Sequence, residues 1–284
     1  MVEVHNFAYG ILNPGLAYVV SCLGCFLGLL CTQRARALEG ASRARWLLLA
    51  AVSIGATGIW TMHFIAMLGF TINGQLIQYN VPVTILSMLI AVAVVAVGLL
   101  IVGFGGEGLR PLLLGGTIIG IGVCGMHYMG MYAMRMPDTM HWNVPLVILS
   151  LVIAIVAGTA ALWCALRLHG GTVVLLGAAL VMGVAVSGMH YTGMAALQVH
   201  FTPGGGMLGM GGGVGATSFL LPLILGISVL TFLVTAIVTL APTPEEIRED
   251  AALMERINTL SKNLDEPRRE VSHRQTLRSW LLQC

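Results

Sequence analysis

Residues 187–194 read SGMHYTGM, inside an apolar run that holds no Asp, Glu, Lys or Arg. Two earlier stretches carry the same phrase, TMHFIAM at 61–67 and GMHYMGM at 125–131. One histidine in such a run can be an accident of packing, bonded to a carbonyl or a serine. Three at corresponding places call for a shared explanation, because a polar side chain in hydrocarbon needs a partner to offset its desolvation.

The rest of the chain shows why hydrocarbon is the right reference. Of 284 residues, 57% are hydrophobic and 9% charged, against about 25% charged in soluble domains; mean hydropathy is +0.90. Seven runs reach the roughly 20 residues that a bilayer crossing requires, near 11–31, 46–69, 82–104, 111–134, 144–166, 172–197 and 218–240. The expected fold class is all-α: a polytopic membrane protein with seven transmembrane helices in pseudo-repeated pairs. The first run lacks a preceding basic segment and an A-x-A site and is followed by arginines, so it reads as a span and not as a signal peptide.

The net charge of +2 says less than its placement. Arg34, Arg36, Arg43 and Arg45 follow the first run, Arg110 the third and Arg167 the fifth, and the remaining basic residues but Arg135 lie after 241. The positive-inside rule then puts the N-terminus outside and the C-terminus in the cytoplasm. This distribution points to a lipid bilayer as partner and to no nucleic acid. Cys22, Cys25, Cys31, Cys124 and Cys164 fall inside spans and Cys284 in the tail, which suggests no extracytoplasmic disulfide framework. Cys22-x-x-Cys25 reads as small packing residues.

His63 and His127 are 64 residues apart, and His127 and His190 are 63 apart. VPVTILSMLIAVAV (81–94) matches VPLVILSLVIAIVA (144–157), and more loosely LPLILGISVLTFLV (221–234). The repeating unit is a proline-opened helix running inward and a histidine helix running outward. Asn13-Pro14 echoes Asn80 with Pro82 and Asn143 with Pro145, so the odd helix is either the first or the seventh. In both phases the histidine helices are parallel and the histidines lie at equal depth, roughly 10 Å below the outer boundary at 1.5 Å per residue.

With no carboxylate or lysine in any run, a carboxylate–histidine proton relay lacks its second member and a retinal Schiff base lacks its amine. The remaining partners are other histidines, backbone groups, water or a metal. Residues i and i+4 share a helix face, which aligns His63 with Met67, His127 with Met131 and His190 with Met194. Met62, Met126 and Met189, at i−1, point about 100° away. Neutral imidazole suits copper, zinc and iron, and thioether favours Cu(I), so the expected cofactor is copper. Gly125, Gly130, Gly188 and Gly193 flank the motifs and permit close helix approach. His5, His141 and His200 lie in outer segments, either as interfacial side chains or as contacts for an incoming ion.

These residues resemble the MHYT domain, a bacterial integral membrane sensor module. The third copy, Met189-His190-Tyr191-Thr192, matches the family pattern in full; the second departs at Met129, and the first at Phe64 and Ile65. The resemblance covers about 1–240. It implies a place in a bacterial inner (plasma) membrane and a sensory function, with His63, His127 and His190 and the motif residues Met62, Met126 and Met189 as ligands of one or two copper ions, and a diatomic gas such as O2, CO or NO as the signal. Many relatives fuse the module to a cyclic-dinucleotide enzyme, a kinase or a DNA-binding domain. This chain shows no enzymatic output domain, so its status as an enzyme is left open.

Two domains are expected: 1–240, the seven-helix unit, and 241–284, a cytoplasmic amphipathic helical tail. The tail opens with Thr243-Pro244-Glu245-Glu246, an N-cap with a capping-box acid, and carries Leu253, Ile257, Leu260 and Leu264 on one face. It suits docking to a cytoplasmic signalling protein or to a second copy. The glycine-rich stretch PGGGMLGMGGGVGA (203–216) reads as a flap or, through Met207 and Met210, as a metal-capture arm. The alternatives are a copper or small-solute transporter, motivated by the repeats, and a membrane metal-dependent redox enzyme. A bis-histidine haem protein fits poorly with three histidines.

Overall fold

The protein is described by a computed structural model over residues 4–5, 8–72, 75–106, 108–135, 139–167, 171–200, 213–242, 246 and 249–261. The chain divides into two compact units, Met1–Thr239 and Leu240–Cys284.

In the first unit, uninterrupted apolar sequence produces long helices: α1 (Leu12–Arg36), α2 (Gly40–Val52), α3 (Met62–Leu68), α4 (Val81–Gly105), α5 (Leu109–Tyr132), α6 (Val144–Arg167), α7 (Thr172–Ala195) and α8 (Ala216–Leu240). A π-helical segment, Ser53–Thr61, joins α2 to α3 without a break. Seven of these helical stretches are long and apolar enough to cross a membrane, with Gly40–Leu68 counting as one span. The sequence pattern predicted an ordinary helix there. Thr61 Oγ1 donates to the Ala56 carbonyl five residues back, at 2.9 Å, which suits the wider i→i+5 spacing of π-helix.

Local chemistry sets the helix ends. Asn80 caps α4, its Oδ1 accepting from the Val83 amide at 3.2 Å with Pro82 in the first turn, and Asn143 Oδ1 accepts from the Leu146 amide at 3.4 Å at the start of α6. A cap whose side chain takes an orphan amide, followed by proline, is a strong helix start. At the opposite end, α1 runs five residues past its expected limit and takes in Arg34 and Arg36. These long side chains reach carbonyls at neighbouring helix ends: Arg34 donates to Val238, Arg36 to Leu166 at 2.9 Å, and Arg43 to Leu38 at 2.9 Å and Gly103 at 3.0 Å. Cations at carbonyl-rich helix termini are stabilised by the helix dipole.

Backbone bonds settle the repeat phase. The Ala8 amide donates to Gly69 at the end of α3, Asn80 to Ala133 after α5, and Asn143 to Ala196 after α7, all at 2.8–2.9 Å. Three antiparallel pairs result: α1 with the second span, α4 with α5, and α6 with α7. Helix α8 is the odd one, and it is the least enclosed together with α6, with 22% of its apolar window buried against 83% for the second span.

Each outer helix of a pair packs between two histidine helices. Helix α1 lies against the π segment and α7, α4 against the π segment and α5, and α6 against α5 and α7. One of the close approaches is backbone to backbone. A Cβ on Gly24 of α1 would overlap the backbone nitrogen of Gly58 in the π segment.

Short strands of two to four residues cross-link the connections, an addition to the expected all-helical pattern. They are β1 (Val4–His5), β2 (Thr71–Ile72), β3 (Gln75–Leu76), β4 (Gln78–Tyr79), β5 (Met134–Arg135), β6 (Thr139–Trp142), β7 (Leu197–His200) and β8 (Val214–Gly215). All pairings are antiparallel, in orders β1-β2-β3, β5-β4-β8 and β6-β7. They lie at the end of the bundle that carries the histidines. His5, His141 and His200 fall in β1, β6 and β7.

In the second unit, residues 249–261 are helical, with Leu253, Ile257 and Leu260 exposed. Thr243, Pro244, Glu245, Leu264, Met207 and Met210, singled out from sequence, lie outside the described residues.

Candidate metal centre

Each histidine stands five residues before the end of its helix: His63 before Leu68, His127 before Tyr132, His190 before Ala195. Equal depth on three parallel helices, which alternate around the packing order, brings the imidazoles together. His63 Nδ1 lies 2.9 Å from His190 Nδ1 and 3.2 Å from His127 Nδ1. The rings meet edge to face like blades, with centroids 4.9, 4.9 and 5.1 Å apart at 81°, 81° and 89°. All three side chains are buried.

The arrangement is a group of nitrogen donors with one shared focus. Each Nδ1 contact holds at most one proton, so at least one bare lone pair faces the centre in any combination of tautomers. Three nitrogens bound to one ion at about 2.0–2.1 Å in tetrahedral directions lie about 3.3–3.4 Å apart. The two Nδ1 separations fall a few tenths of an ångström short of that, within reach of small ring rotations.

Ring orientation comes from packing more than from hydrogen bonds. Nε2 of His63 and of His127 has no partner among the described residues. Each faces a glycine on the next histidine helix: a Cβ on Gly130 would lie 2.5 Å from His63 Nε2, and one on Gly193 would overlap His127 Nε2. Both glycines fall three residues after the histidine of their own helix. The other two motif glycines, Gly125 and Gly188, have nothing within 4 Å and play no part in the approach.

The aromatic residue after each histidine supports it edge-on: Phe64 at 4.7 Å, Tyr128 at 4.9 Å and Tyr191 at 4.9 Å between centroids. Tyr128 OH bonds Ser150 Oγ of α6 at 2.8 Å. In the first copy Phe64 has no phenol, and Trp60, one turn earlier, donates its indole N–H to Ser87 of α4 at 3.0 Å. Sequence reading gave neither Ser87 nor Ser150 a place beside the histidines, although they occupy the same place in TILSM and VILSL. A serine in an apolar run is easily taken as a filler; its recurrence at the repeat period was the available signal.

All six candidate methionines, Met62, Met67, Met126, Met131, Met189 and Met194, are buried. Met62 packs with Ala17, Ile65 and Ala66, and the other five belong to the main core. The structure thus gathers the three histidines and leaves the thioethers as core neighbours, with no hydrogen bond from any of the six sulfurs to an imidazole among the described residues.

This geometry has relatives. The MHYT family model, described as a bacterial signalling protein N-terminal repeat, matches residues 57–116 and 120–178. The chain belongs to the MHYT family. Each matched repeat holds one motif, and the third, Met189–Thr192, follows the second match. The MHYT chain is 38% identical over 195 residues to the bifunctional diguanylate cyclase/cyclic di-GMP phosphodiesterase MucR of Pseudomonas aeruginosa, covering 67% of this chain and 28% of MucR. It is 36% identical over 207 residues to the cyclic di-GMP phosphodiesterase NbdA of the same organism, covering 71% and 26%. It is 27% identical over 205 residues to the signaling protein YkoW of Bacillus subtilis, covering 70% and 25%. The alignments span roughly a quarter of these relatives' length. No solved structure matches the chain.

The residues present fit a metal ion. His63, His127 and His190 form a group whose ligand atoms all lie within 4.8 Å of one another. The donors are neutral imidazoles with no carboxylate, a set suited to copper, zinc or iron over magnesium or calcium.

Proposed function

We propose that this MHYT protein is a copper-binding membrane sensor, with one ion held by His63, His127 and His190 and with thioethers from the Met62/Met126/Met189 or Met67/Met131/Met194 set completing or bordering the site. The convergence of three buried Nδ1 atoms carries the reading. Copper bound there supplies a coordination position for a diatomic ligand such as O2, CO or NO. The protein's own contribution is to fix three imidazoles by sterics, exclude water, and keep every charged side chain out of the surrounding core.

The basic residues at the other end support, by the positive-inside rule, a cytoplasmic side for that end and for the tail after 240. The tail passes the signal to a cytoplasmic partner or to a second copy. The names of MucR and NbdA, both cyclic di-GMP enzymes, support a signalling output of that class in a partner. Transport is less well supported, since the space inward of the triad is lined by apolar side chains that offer a copper ion no further ligands beyond Met and Cys.

The experiment is to load the purified protein with copper and expose it to O2, CO and NO. Sensing predicts a change in the copper spectrum with one of these gases, together with altered amide exchange in residues 249–261. Copper that binds but ignores all three gases, combined with copper flux in proteoliposomes, would favour transport instead.

A further inference from the structure

One turn inward of each histidine lies an apolar residue: Ile59 below His63, Val123 below His127 and Val186 below His190. All three line one cavity of about 90 Å3, along with Met189, the neighbour of His190. The triad therefore has a hollow directly beneath it, shared by all three histidine helices.

The chemistry of that hollow is uniform. Its walls are Ala, Val, Ile, Leu, Met, Gly and two cysteines, with no charged, amide or hydroxyl side chain. A water there would lack the two to four polar partners that hold buried water, and cavities of this kind stay dry and take up xenon or small apolar molecules. The volume is about three times the roughly 30 Å3 that a water occupies in the liquid, enough for one or two diatomic molecules.

The hollow also has a side. On α6 and α7 its lining includes Ala160 and Val181, both exposed on the bundle surface, and between them stand small residues, among them Ala161 and Ala185. In a membrane that surface faces the hydrocarbon, at the depth where apolar solutes are enriched and water is scarce.

We infer that this cavity is the holding site and lateral path by which a small uncharged apolar molecule, of the size of a diatomic gas, reaches the triad from the bilayer core and not from water. The inference rests on the triad being the sensing centre, but filling of the cavity requires no metal.

The test uses the full chain, stripped of metal, in phospholipid nanodiscs under xenon, read by xenon NMR. Wild type is expected to show a saturable bound-xenon signal that is lost in Ala185→Phe and in Ala161→Leu, two independent fillings of the space. Val173→Phe, on the exposed start of α7, is expected to keep it. Helical content and unfolding temperature close to wild type confirm that at least one filling variant is folded. Absence of saturable xenon in wild type, or its persistence in both folded filling variants, overturns the proposal. Contact between lipid acyl methylenes and the Val123 or Val186 methyls would assign the space to a lipid tail and overturn it as well. In copper-loaded protein the same fillings are expected to slow gas binding several-fold at unchanged copper content. Wild type that binds xenon but takes up no copper when the stripped protein is reloaded would sink the metal reading alone.

Discussion

Gly193 of α7 presents its bare Cα to Nε2 of His127, so closely that a Cβ would overlap the ring. The same relation, one step around the bundle, joins Gly130 to His63. A hydrogen atom on one helix fixes the position of an imidazole on the next. Gly193→Ala and Gly130→Ala should therefore each destabilise by about 1–3 kcal/mol, the usual penalty of overpacking, and should lower metal occupancy. Gly188→Ala, with open space around it, should be neutral or gain up to about 1 kcal/mol from helix propensity. Unfolding and metal content of the three variants check this; equal behaviour would remove the steric cradle from the account.

The Tyr128–Ser150 bond ties a histidine helix to its outer neighbour. Tyr128→Phe should lose about 0.5–1.5 kcal/mol. A double-mutant cycle with Ser150→Ala should return a coupling of similar size, while the Phe64 position, already lacking a phenol, offers no such coupling with Ser87.

Tyr79 in β4 is fully buried, with its hydroxyl unpartnered among the described residues and its ring 5.7 Å from Phe64. Burial also raises its phenol pKa above the ordinary value, so the group stays neutral through the physiological range. A buried hydroxyl with no partner costs about 1–3 kcal/mol, so Tyr79→Phe should raise stability, measured by the same unfolding assay. A loss would show that the hydroxyl has a working partner.

Thr57 in the π segment and Thr231 in α8 bond through their hydroxyls at 2.8 Å, and Thr231 donates its own proton to the Ile227 carbonyl at 2.7 Å. Thr57 must then be the donor between them. Thr231→Val leaves a buried O–H without its acceptor and should cost more than Thr57→Val, with the double variant milder than Thr231→Val alone. Amide exchange along α8 should speed up in the same order. This bond links the second span to the helix that leads toward the tail.

Much of this was legible in the residues. The seven runs follow from the number of apolar residues needed to cross hydrocarbon, and the convergence of His63, His127 and His190 follows from equal spacing on parallel helices. The π segment was hidden because Ser53, Thr57 and Thr61 recur every four residues, as they would in an ordinary helix, and nothing else in 53–61 marks i+5 bonding. The odd helix was hidden because Asn13-Pro14 mimics Asn80 and Asn143, and only the backbone bonds of Ala8, Asn80 and Asn143 break the tie. Sequence marked four glycines and could not choose among them. Which one faces a neighbour depends on helix rotation, and rotation is set by the packing of α1, α4 and α6 between the histidine helices.

The most direct test of the central claim is the metal content of the protein purified from copper-replete cells, set beside a His63→Ala/His127→Ala/His190→Ala variant shown to be folded. The one triad among the described residues predicts close to one copper per wild-type chain and none in the variant. Wild type without metal, or a variant that retains it, would contradict the claim and return the three histidines to a role in packing.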